Sequence, residues 1–197
     1  TVYATARSEA ALNDLASSIK GNTGVIHPVV LDQSDDSAVE KFITTVAEKE
    51  RRIDLLVNSA YGGLTAMTPH FGKPFWERPI SVFDASIDIG LRSAFVSSAF
   101  VAPHMVRQKS GLIVQVSSFG GHSYLFDVGY GVGKAGLDRL SADMATELGE
   151  YGVKSLTLYP GGAVTEIAQF PGGETPTFTG RSVAALLHDT PEEDLAN

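Results

Sequence analysis

Tyr130 and Lys134 stand four positions apart in the run YGVGK. On a helix that spacing puts both side chains on one face. The chemistry such a pair offers is proton transfer. A tyrosine ordinarily ionises near pH ~10, and bringing it close to neutrality takes roughly 4 kcal/mol. An ammonium held one turn away favours the phenolate, and a helix N-terminus adds positive potential of the same sign. Ser118, at the end of an apolar run upstream, offers a hydroxyl that can hold the oxygen of a reacting carbonyl. The Tyr/Lys pair alone is a weak motif, since a surface cation–π contact produces the same spacing. Its strength is position: it opens a helix after a strand that ends in Ser117-Ser118.

The elements that must position these groups alternate between strand and helix. Val2–Ala6 reads as the tail of a strand, and Ser8 caps a helix running to about Lys20. The β-branched run GVIHPVVL over 24–31 is a buried strand. Residues 35–37 cap a second helix whose apolar positions Val39, Phe42, Ile43 and Val46 follow helical spacing. Strands follow at 53–57, 112–116 and 153–159, with a long Gly/Pro/aromatic loop over 59–78. Helices are expected at 80–108, 128–148 and 181–188. The pattern predicts a single α/β domain over 1–197, a doubly wound parallel sheet with helices on both faces.

Such sheets bind ligands beyond the carboxyl ends of their strands. The residues there are Arg7, Asp32, Asn58, Ser118 and Thr165. Each has two readings. Asp32 is a turn carboxylate or an acceptor for an adenine amino group. Asn58 is a turn residue or a polar contact to a ribose. Arg7 is a solvated cation or a clamp for a 2′-phosphate. Thr165 is a helix cap or a donor to a carboxamide. Phe71, Phe75 and Trp76 in the long loop form either a satellite core or an apolar lid. His122 follows Ser118 closely enough to face a substrate, and His104 reads as structural within its long helix.

Composition removes several classes of function. The formal charge of −8 opposes binding to nucleic acid. Without cysteine there is no disulfide framework and no thiolate metal site, and the five histidines show no ligand spacing. No uninterrupted apolar run of membrane-spanning length is seen, nor a charged-then-apolar leader. An intracellular setting is expected, cytoplasmic or against an internal membrane such as the endoplasmic reticulum.

Together these residues resemble the short-chain dehydrogenase/reductase family. The matching pieces are Asp32, NSA at 58–60, SSFGG at 117–121, YGVGK at 130–134 and PGGAVT at 160–165, in the family's order. The stretches KPFWERP, IGLRSAF and FDVGYGVGKAG point to one branch of it. The resemblance implies an NADP- or NAD-dependent carbonyl reductase or alcohol dehydrogenase with Rossmann-like architecture. Tyr130 would be the acid/base; Lys134 would lower its pKa and bind the nicotinamide ribose; Ser118 would hold the substrate oxygen. Asp32 would touch adenine, Asn58 the adenosine side and Thr165 the carboxamide, while Arg7 would tilt preference toward NADP. The substrate would be a small carbonyl or alcohol, apolar by the aromatic loop, and the protein a homo-oligomer.

The departures carry expectations of their own. The resemblance puts Gly90 where most members carry an asparagine, and Ser59 and Tyr61 where they carry Asn and Gly. The family's opening strand and Gly-rich phosphate turn, and its C-terminal strand, have no counterpart in the sequence. With the family's strand order 3-2-1-4-5-6-7, strands two and four would flank a gap. The expectation is a truncated domain that binds cofactor poorly, or a non-catalytic fragment whose open edges pair with another chain.

Overall fold

A computed structural model describes residues 1–19, 24–165 and 170–188. Five parallel strands form: β1 Val2–Ala6, β2 Ile26–Val30, β3 Leu55–Asn58, β4 Gly111–Val116 and β5 Val153–Leu158. Strand β1 pairs with β2, and β4 pairs with β3 on one side and β5 on the other. No pairing joins β1 to β3 among the described residues, so each keeps one unpaired edge. The parallel sheet is thus split into two pieces.

Helices bridge the split. They are α1 Glu9–Ser18, α2 Asp36–Glu50, α3 Gly63–Met67, α4 Ile80–Ile87, α5 Ser93–Gln108, α6 Val128–Leu148 and α7 Pro176–His188. The main core joins Leu31, Val39 and Ile43 from the β2–α2 side to Val101, Met105 and Ile113 from the β4–α5 side. Arg92 forks onto both carboxylate oxygens of Asp36 at 2.8 and 2.6 Å, and Ser97 donates to Gln33 at 3.2 Å. A second cluster on the opposite face packs Leu112 and Val114 against Val183 of α7. Successive β4 residues therefore point to opposite faces, as a sheet covered on both sides requires. Most of these elements follow the sequence reading.

Strand ends shift by one or two residues, β3 for instance running over Leu55–Asn58 rather than 53–57, and three regions differ further. The 59–78 loop contains α3 and two short 3-10 turns, Thr68–His70 and Phe75–Glu77. Helix α7 starts at Pro176 rather than 181, because proline at the first helical position needs no hydrogen-bonded N–H. The single helix expected over 80–108 is divided by a π turn at Asp88–Arg92. An 18-residue window within Ile80–Gln108 reaches a mean hydropathy of 1.2, enough for a membrane span by length and composition alone. Much of its apolar side is used internally: Val82, Ala94, Val96, Val101 and Met105 are buried. The expected helix end at Lys20 lies outside the described residues.

Candidate active site

The site is built around the start of α6. Asp127 is extended and caps the helix, accepting from the Tyr130 backbone N–H at 2.7 Å. Its other oxygen, Oδ2, faces Arg78 Nη1 at 3.0 Å, with both side chains almost wholly buried. The atoms meet as an ion pair without hydrogen-bond alignment. Arg78 Nε donates to the Lys73 carbonyl at 2.9 Å, which ties the aromatic loop to the first turn of α6. Gly129 and Gly133 let α6 lie close on α4: a Cβ on Gly133 would stand 3.4 Å from the Ser86 carbonyl oxygen.

The two serines at the end of β4 divide their work. Ser117 is buried and donates to the Lys134 carbonyl at 3.1 Å, fixing α6 against the strand. Ser118 accepts from the Gly120 N–H at 3.0 Å, and its hydroxyl also interacts with the Tyr130 phenol. Gly120 lies so close to the Tyr130 ring that any Cβ there would collide with it. Ser118, Tyr130 and Lys134 are thereby brought together.

Their electrostatics differ from the sequence expectation. Lys134 Nζ donates to the Val116 carbonyl at 2.8 Å and stands over the Tyr130 ring, 5.7 Å from its centre. Burial lowers Lys134 to about 8, opposed by the Asp138 carboxylate. Tyr130 is not depressed by its neighbour: burial raises it, and only the Ser118 hydroxyl pulls it down. The reason is geometric. The ammonium is anchored to the strand, and half-burial of the phenol favours its neutral form.

One residue of this cluster was not singled out for chemistry in the sequence. The Tyr61 ring packs edge-on against Tyr130, 5.6 Å between centres, and Lys134 Nζ lies 5.4 Å from its centre. Its hydroxyl meets Ser86 Oγ at 3.1 Å, and burial pushes it up to about 12. Gly63 and Gly90 frame this slot; a Cβ on Gly90 would lie 3.1 Å from the ring. The only sequence signal was Tyr61 itself standing where the resemblance expected glycine.

The outer residues are less uniform. Asp32 accepts from the Ser34 backbone and hydroxyl at 2.9 and 2.8 Å, bonds that hold it below the usual carboxylate range, with exposed Arg7 adding a weaker pull. Asn58 turns its amide nitrogen inward, onto Ala94 O at 3.3 Å and Ser98 Oγ at 3.1 Å. Buried Gln115, its partner across the β3–β4 register, also reaches Ser98 Oγ, at 3.2 Å. Asn58 is thus a strut between strand and helix. Thr165 is half-buried beyond β5, after the Ala163–Glu174 bridge. His122 meets Tyr159 Oη at 2.9 Å, and Tyr159 donates to Asp138 at 2.5 Å. Phe71, Phe75 and Trp76 are exposed, so they are no satellite core.

A phenol, a serine and a buried ammonium thus meet at the carboxyl edge of parallel strands. A family model described as short chain dehydrogenase matches residues 1–172. "Dehydrogenase/reductase SDR family member 1" of Mus musculus is 38% identical over 210 aligned positions, covering 96% of this chain and 67% of the relative. Its Homo sapiens counterpart is 37% identical over the same shares. A solved metagenomic short-chain oxidoreductase in complex with NADP superposes with a TM-score of 0.79 at 27% identity, covering 95% of this chain and 79% of that one. A 7α-hydroxysteroid dehydrogenase, complexed with NADH and 7-oxo glycochenodeoxycholic acid, shares the fold at TM-score 0.82 and 22% identity, over 95% of this chain and 77% of that one. The chain belongs to the short-chain dehydrogenase/reductase family, oxidoreductases that act on CH–OH groups with a nicotinamide cofactor.

Proposed function

We propose that this protein is an NADPH-preferring carbonyl reductase, reversible as an alcohol dehydrogenase, in which Tyr130 is the acid/base. The observation that carries it is the convergence of Ser118 and Lys134 on the Tyr130 ring. The donor set suits the cofactor: an acceptor at Asp32, a cation at Arg7 beside it, and hydroxyl and ammonium groups around the phenol. When bound, the reduced nicotinamide supplies a hydride to the carbonyl carbon. Ser118 holds the carbonyl oxygen, and Tyr130 gives that oxygen its proton, leaving a phenolate that the Ser118 hydroxyl stabilises while the Lys134 ammonium stands over the ring. Lys134 also orients the nicotinamide ribose, Thr165 the carboxamide, and the remaining oxygen of Asn58 the adenosine side. Arg7 meets a 2′-phosphate, favouring NADP over NAD.

The substrate is a small apolar carbonyl or alcohol. Exposed Phe75, Trp76, Phe119 and Tyr124 support this, as does the ladder from Phe71 through Phe126 to Tyr130, with ring centres 6.2 and 5.1 Å apart. Exposed Phe83, Phe95, Val128 and Val132 on α4–α6 support a homo-oligomer. A reduced nicotinamide places the work inside the cell. Tyr130→Phe tests the assignment: turnover of NADPH with an apolar ketone should vanish while NADPH binding is nearly unchanged. Retained turnover rejects it.

The split sheet favours a second reading, a non-catalytic chain whose unpaired β1 or β3 edge engages another chain. Enhanced NADPH fluorescence on mixing supports the enzyme. No enhancement, together with assemblies that dissociate when an edge is blocked by a proline in β1, supports the alternative.

A further inference from the structure

At the opposite end of the strands from Tyr130 lies a cavity of about 230 Å³ lined by Ala47, Arg51, Arg52, His104, Arg107 and Gln108. It sits where α2 and α5 end and where β3 and β4 begin, roughly 20 Å from the Ser118 edge by the rise of a six-residue strand. Three arginines line one small concavity in a chain whose net charge is −8.

The wall that carries them is fixed. Gln108 accepts from Ile53 N–H at 3.1 Å and donates to the carbonyls of Ile53 and Ser110 at 2.5 and 2.7 Å. Arg51 ends α2 in the left-handed region, φ 66°, its N–H bonded to Ala47 O at 3.0 Å. Arg107 Nη2 meets His104 Nδ1 at 2.9 Å. Arg52 is already paired with Asp54. Arg51 and Arg107 form no ion pair among the described residues. Two helix C-termini favour nearby cations, each contributing about half a negative charge. Those ends are already closed, by Arg51 N–H on Ala47 O and by Lys109 and Ser110 N–H on Val106 O and Met105 O. The two guanidiniums without a carboxylate partner outweigh them.

We infer that this cavity is an anion site for the phosphate group of a small phosphorylated molecule, separate from the catalytic edge. Forked guanidiniums match phosphate oxygens two at a time, and His104 adds a ring nitrogen that can donate. The inference does not depend on the proposed reaction.

The test titrates inorganic phosphate into the isotope-labelled full chain, with sodium chloride at matched ionic strength as the control. NMR follows the His104 ring and the amides of Arg51 and Gln108. Saturable shifts with phosphate and not with chloride are expected. Arg107→Gln should weaken them at least about tenfold, the loss of one charge-assisted hydrogen bond. Arg51→Asn, which suits a left-handed position, should do the same without a fold penalty. Arg7→Gln, at the other end of the sheet, should leave them unchanged. Equal shifts with chloride, or variants that titrate like the wild type, overturn the proposal. Sedimentation with phosphatidylcholine vesicles containing phosphatidic acid, without a response to free phosphate, overturns it in favour of a membrane contact.

Discussion

Arg78→Met removes one half of a pair whose members are each almost sealed from solvent, at 6% and 3% side-chain exposure. The Asp127 carboxylate would then be left buried without a counter-charge. Breaking such a pair from one side costs about 3–5 kcal/mol, against about 0–1 for an exposed pair. In a domain of this size each kcal/mol moves the melting temperature by about 2–4 °C, so a fall of roughly 6–20 °C is expected. Urea denaturation followed by circular dichroism measures the free energy directly. Asp127→Asn keeps a competent cap for α6 while removing the charge, so it isolates the electrostatic part. The double variant Arg78→Met/Asp127→Asn should recover most of the loss, with a coupling energy near the upper end of the usual 0.5–3 kcal/mol. If Arg78→Met stays within about 1 kcal/mol of the wild type, the pair behaves as a solvated one and the reasoning fails.

Other consequences are sharper in direction than in size. Gly120→Ala should displace the Tyr130 ring, since the added methyl meets rigid aromatic carbons; a lowered kcat together with a loss of about 1–3 kcal/mol of stability is expected, and unaltered kcat refutes the contact. Lys134 falls from 10.5 to about 8 on folding, so the unfolded chain binds more protons between those values and stability rises with pH across that window. The drop corresponds to on the order of 3 kcal/mol. Above pH 10 the tyrosines that folding raises, Tyr61 and Tyr130 among them, reverse the slope. Lys134→Met should abolish the rise between about 8 and 10, as pH-dependent urea midpoints will show.

The sequence made the scaffold legible where one period dominated. The run LIVQV marked β4 because both its faces are covered, and Ser8 and Asp35 cap their helices through the local side-chain bonds that favour those residue types. Ser118, Tyr130 and Lys134 were readable from spacing and strand ends. The π turn at Asp88–Arg92 was hidden because one additional residue barely disturbs a helical pattern. Tyr61 and Arg78 were hidden for a different reason. Their partners lie far along the chain, and only the packing of the long loop on α4 and α6 brings them together. The inward turn of Asn58 likewise depends on Ser98, a residue of α5 with no motif of its own.

The charge state of the site bears on its direction of action. Burial keeps the Tyr130 phenol protonated, and a protonated phenol is the form that donates to a carbonyl oxygen. Lys134, at about 8, is still mostly charged near neutrality, with its ammonium over the Tyr130 ring. With Tyr130 as the proposed acid/base, reduction starts from the resting ionisation, whereas oxidation of an alcohol must first remove the Tyr130 proton against its burial. Ketone reduction should be flat through neutrality and decline as pH rises past 8 and Lys134 neutralises. Alcohol oxidation should climb over the alkaline range until the phenol has ionised. Initial rates in both directions from pH 6 to 10 measure this. In Ser118→Ala the alkaline limb of oxidation should move to higher pH, because the hydroxyl that lowers the phenol is gone. Oxidation that is already maximal at neutral pH would mean that the phenol ionises far below where its burial puts it, and that some group other than Ser118 holds the phenolate.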